Sequence, residues 1–161
     1  MSANDARLIE ANVNPRTGLA TDYLNHFNEA IMLLELFAEL PECREDFFAW
    51  SPKKYTEHFA ASQSKHRDVA IAAYNEADPA LRNLLDTVAT SMNEILMATR
   101  NVMRQDNLSD RAAMTVANVA VRWIKPLVAR AGAVINGTET AQSESGQDAA
   151  PQIAVDAVMA R

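Results

Sequence analysis

Glycine is scarce, with four in 161 residues, at positions 18, 132, 137 and 146. β-Sandwiches and nucleotide-binding α/β folds draw on glycine for turns and phosphate loops, so both are disfavoured. Cysteine is scarcer still. The single Cys43 excludes an intrachain disulfide and any CxxC metal or redox pair. Glu42, Glu45 and Asp46 around it disfavour a thiolate, with only Arg44 opposing them, so an inert thiol is expected. Phosphate-loop, dinucleotide, zinc-protease and nucleophile-elbow patterns are all missing. Long apolar runs are missing too. The most apolar stretches, 30–40 and 112–124, are interrupted by Glu35 and Glu39 and by Arg122, and both are too short to span a bilayer. Residues 1–11 carry Asp5, Arg7 and Glu10 without an apolar block, so no secretory leader and a cytoplasmic location are expected. Net positive charge is lacking as well. At −6, the chain is a poor match for nucleic acid or an anionic membrane surface.

Helical periodicity is abundant. Tyr23, Phe27, Ala30, Leu34 and Phe37 recur at alternating spacings of four and three, which predicts a long helix ending before Pro41. Ser51-Pro52 reads as a helix start, and Tyr55, Phe59, Ser62, His66, Val69 and Ala73 continue the spacing. A second helix is therefore predicted over 52–77, with two polar residues on its inner face. Asp78-Pro79 repeats the start signal and predicts a third helix to about residue 105. Ser109 caps a fourth, which Asn136-Gly137 ends. Pro126 within it should free the carbonyl of Arg122. These signals predict an all-α protein: a four-helix up-down bundle over 17–137, a short helical extension over 1–16, and a flexible tail over 138–161. The tail ends in a short apolar segment, 151–161. Phe47, Phe48, Trp50 and Tyr55 cluster in and after the first connector, where they are expected to plug one end of the bundle.

Only three histidines are available for bundle chemistry, His26, His58 and His66. No Glu-x-x-His pair occurs, so the ligand set of a carboxylate-bridged metal bundle is incomplete. No cofactor is expected. If a metal ion or small ligand binds in the core, its ligands are His26, Glu29 and His66. Otherwise His26 and His58 are half-exposed, and His66 is a buried core histidine needing a partner such as Ser62, Tyr23 or Thr99. A phosphotransfer role lacks the lysine and small residue that would follow its histidine.

Charge is unevenly distributed. Residues 29–46 hold six acids and one base, and residues 98–135 hold six bases and two acids. The fourth helix is apolar nearly all round apart from the stripe Thr115, Asn118, Arg122 and Lys125, as expected of a central helix or one covered by another subunit. Val116, Ala120, Trp123 and Leu127 are the candidate interface residues. The functional expectation is a non-enzymatic helical protein acting through protein contacts, as a homodimer or with a protein partner, with no nucleic acid and no membrane insertion. The alternative is the core ligand site.

Overall fold

A computed structural model describes residues 1–139, apart from the side chain of Ala38. Among the described residues the chain is all-helical, with no strand. The α-helices are α1 (Ala3–Glu10), α2 (Leu24–Glu39), α3 (Arg44–Ala49), α4 (Tyr55–Ala60), α5 (Arg67–Glu76), α6 (Pro79–Met103) and α7 (Asp110–Ile135). Single turns of 3₁₀-helix, Thr21–Tyr23 and Pro41–Cys43, lead into α2 and α3. Of the predicted tail, residues 140–161, including the apolar segment 151–161, lie outside the described residues.

The predicted starts of the two longest helices are found. The Asp78 side chain accepts from the Ala80 N–H with Pro79 in the first turn, and Ser109 accepts from the Ala112 N–H. Asn136 and Gly137 close α7, with Gly137 in the left-handed region at φ 78°. Next to it, the Thr138 and Glu139 N–H groups donate back to the Ala133 carbonyl.

Helix α7 is the centre of the molecule and packs against both α2 and α6. It runs antiparallel to α2: Thr17 donates to the Ile135 carbonyl at one end, and Lys125 pairs with Glu35 further along. The core between them includes Phe27, Leu34 and Phe37 from α2, Leu85, Met92 and Leu96 from α6, and Ile124 and Ile135 from α7. The loop after α1 joins this core through Ala11, Val13 and Leu19.

The predicted helix over 52–77 is instead two short helices folded back on each other. Tyr55 and Tyr74 stack with ring centroids 4.5 Å apart; one straight helix would separate them by about 28 Å. Local and tertiary bonds cause the difference. Residues 51–54 stay non-helical because Lys53 is held at both polar groups: its N–H donates to the His26 ring and its carbonyl accepts from the Tyr23 hydroxyl. Ser62 and Ser64 then accept the N–H groups of Ser64 and His66, each two residues on. Such local side-chain bonds offer the backbone an alternative to the helical ladder. The two polar positions on the predicted inner face mark this bend.

Pro126 sits inside α7 on its exposed side. It has no N–H to give the Arg122 carbonyl. Replacing it restores that bond without removing core contacts. Pro126→Ala is expected to raise stability by about 1–3 kcal/mol, read as a higher melting temperature. A lower one would mean that α7 needs the proline bend to fit α2 and α6.

Candidate functional site

The chemically dense region lies where the start of α2 meets the α4–α5 bend. Here the 3₁₀ turn buries Tyr23 and the first turn of α2 buries Phe27, and His26 lies with them inside the protein at 5% exposure. This corrects the expectation of a half-exposed His26. Its ring stacks on Trp50 at 4.6 Å, and the Trp50 indole N–H donates to the His26 carbonyl at 3.1 Å. Its Nε2 accepts the Lys53 N–H at 3.0 Å. An acceptor nitrogen carries no proton, so the neutral ring is held with its proton on Nδ1. Burial, then the nearby His58 ring and Lys53, pushes the His26 pKa down to about 4.

His66 is displaced in the opposite sense. It was expected on the core face, but it is half-buried at the bend and immediately precedes α5. The broken helix is the reason, since the spacing that aligned it with Tyr55 and Phe59 no longer applies. Glu29 is exposed on α2. The three residues predicted to ligate in the core thus occupy different environments: one buried and already bonded, one on the surface and one at a bend. Among the described residues, no three His, Cys, Asp or Glu side chains are grouped so as to hold a metal ion.

His58 is half-buried as expected, and it belongs to the site more than its sequence context suggested. Its ring lies 6.0 Å from that of His26 and 5.7 Å from that of Tyr23. Burial, and next Lys53, lowers its pKa. A hydrogen bond to the Asp22 backbone and the carboxylates of Asp22 and Glu29 act the other way. His58 and His66 face one open cleft of about 320 Å³, together with Asp22, Asn25 and Arg67. The eight-residue spacing of the two histidines gave no hint of this, because on one helix they diverge by about 80°. The bend brings them together.

No protein-family model, curated protein or solved structure matches this chain.

The residues predicted for an interface are divided. Ala120 and Leu127, 3% and 5% exposed, lie in the chain's own core, while Val116 and Trp123 are half-buried and pack against it. The apolar character of α7 is thus largely accounted for by its place between α2 and α6. The opposed charge runs are also partly joined within the chain. Lys125 of the basic run pairs with Glu35 of the acidic run, while a minority charge of each run, Arg44 and Asp110, pair with each other. Arg100 reaches inward, donating to the Trp50 carbonyl at 2.8 Å. Of the aromatic cluster, Phe47, Trp50 and Tyr55 are buried and Phe48 is partly so.

An apolar feature that the sequence reading missed stands on α2. Met32 is 57% exposed and Leu40 43%, with the partly exposed Leu36 between them. Met32 and Leu36 lie one turn apart on the side of α2 turned away from Phe27, Ala30, Leu34 and Phe37, and Leu40 follows the end of the helix with a non-helical backbone. The rim is acidic, with Glu29, Glu39 and Glu42 all exposed. The one base of that segment, Arg44, is turned onto the Phe37 ring and towards Asp110. No helix among the described residues is long and apolar enough to cross a membrane.

Proposed function

We propose that this is a non-enzymatic helical protein of the cytoplasm that acts through protein contacts, with the outward face of α2 as its contact surface. The observation that carries the reading is the apolar patch of Met32 and Leu36 on α2 and Leu40 just beyond it, where most other large apolar side chains among the described residues are buried. Leucine and methionine at helical spacing suit an amphipathic helix laid along them. The acid rim selects the occupant, a partner helix with lysine or arginine at its edges. A second copy is the weaker mate, because two α2 faces would bring Glu29, Glu39 and Glu42 of both copies along one seam. The homodimer expected from α7 is therefore kept as an alternative outcome of the test. The scaffold proposed for this surface is a modified up-down four-helix bundle, with the α4–α5 hairpin in the place of the fourth rod.

The test uses fluorescence anisotropy with a leucine–lysine amphipathic helical peptide and its leucine–glutamate counterpart. The lysine peptide is expected to bind the wild type and to bind Met32→Ser/Leu40→Ser more weakly, although the variant has the same charge. Equal binding of both peptides, or an unchanged variant, would overturn the proposal. Sedimentation of the protein alone provides the other arm. A dimer that dissociates in the variant would give this face to a second copy instead.

A second reading, small-ligand binding, is favoured by a different observation, the convergence of His58, His66 and Arg67 on one cleft. It moves the ligand from the core position at His26, Glu29 and His66 to the surface.

A further inference from the structure

We propose that the cleft between the start of α2 and the α4–α5 bend binds a small oxyanion, the phosphate or carboxylate group of a small molecule. This rests on the small-ligand reading and is independent of the α2 contact face.

The cleft is rich in donors. Arg67 donates one N–H to the Ser62 carbonyl at 3.3 Å and makes no ion pair with any described residue. Its planar fork retains further N–H groups for an anion. The Ser62 and Ser64 oxygens accept backbone N–H groups at 3.0 and 3.1 Å. That leaves each hydroxyl hydrogen available to donate. His66 adds a ring N–H, whereas that of His58 is already given to the Asp22 backbone, and neither histidine is in an ion pair with a described residue.

Acceptors are few by comparison. Asp22 is the one acid in the lining, and its Oδ1 already accepts from the Asn12 amide at 3.0 Å. The floor is apolar, formed by Ala11, Phe59 and Ala70, all buried. A cleft of about 320 Å³ with an apolar floor and a few convergent polar groups is of small-molecule size. The Arg67 cation offsets the single, already bonded Asp22 carboxylate, so the lining has no net negative charge to hold a cation.

Amide NMR of the full chain, titrated first with inorganic phosphate and then with acetate at constant ionic strength, tests this. Saturable shifts confined to residues 22–25 and 58–70 are expected. Phosphate alone would assign the source as a phosphate ester, and acetate alone as a carboxylate. Arg67→Gln is expected to weaken binding about tenfold, the loss of one charge-assisted contact. Arg67 is exposed, so this variant should fold; His66→Gln serves as a second probe. Met32→Ser/Leu40→Ser should bind as the wild type does, which separates failure here from failure of the contact face. No shift with either anion, shifts scattered over other exposed basic side chains such as Arg16 and Arg111, or an unchanged Arg67→Gln would overturn the assignment.

Discussion

Acidification is expected to cost the fold about 3 kcal/mol through His26 alone, almost all of it lost between about pH 6.5 and about pH 4. The sign follows from where the proton goes. In the unfolded chain the imidazole has its ordinary pKa of 6.5; in the fold it stays neutral to about 4. Between those values the unfolded chain holds the extra proton, so falling pH favours unfolding. Above the upper value neither state is protonated and the full stability is present. The structural reason is that Nε2 already accepts from Lys53, and a proton placed there would meet a donor in a buried aromatic pocket. His58, also lowered, adds to the loss in the same direction. His26→Gln keeps an acceptor for the Lys53 N–H and removes the titration. Urea unfolding in steps from about pH 7.5 to about pH 4.5 should give a much shallower slope in the variant, leaving the contribution of His58. A variant with the wild-type slope would show that His26 is not the group that responds.

The sequence made the long helices legible because their signals are local. Asp78-Pro79 and Ser109 satisfy the first N–H groups of α6 and α7 from within one turn. The same logic failed at Ser51-Pro52, where the deciding bonds come from far along the chain. His26 and Tyr23, nearly thirty residues away, hold Lys53 out of helical conformation, and no window around position 52 contains them. The bend at 62–66 did leave a trace, since Ser62 and His66 are polar on an otherwise apolar stripe. On a straight helix both fall on the core face, with Ser62 a candidate partner for His66, whereas their polarity marks the place where the stripe stops. One error produced another: once 52–77 is a straight rod, His58 and His66 point apart and the cleft does not exist. The exchange between His26 and His66 arose in the same way. A histidine beside Phe27 is carried inward by the Trp50 stack and the Lys53 bond, neither visible from helical spacing. Met32, Leu36 and Leu40 were countable in the sequence, but they merged with the inward-facing apolar residues of α2 such as Ile31, Leu34 and Phe37. Only their orientation separates them.

Leu127→Ala is expected to destabilise the protein by about 3 kcal/mol, through lost burial and the cavity left behind. The informative part is how that loss depends on concentration. Leu127 is 5% exposed in a single chain, packed where α7 meets its own neighbours. Its removal should lower the unfolding midpoint equally in dilute and concentrated protein. If α7 were instead a dimer face, the stability it confers would be linked to association and the midpoint would rise with protein concentration. Chemical denaturation at two concentrations about a hundredfold apart distinguishes these cases, because an association-linked stability would differ between them by nearly 3 kcal/mol. Met32→Ser supplies the contrast: an exposed side chain away from the core should change stability by no more than about 0.5 kcal/mol. A core defect at Leu127 beside a silent change at Met32 would place the stabilising apolar surface of α7 inside the monomer. It would leave α2 as the face with apolar area to offer a partner. A midpoint that rises with concentration in the wild type and loses that dependence in Leu127→Ala would return the interface to α7, and the α2 proposal would then have to be given up.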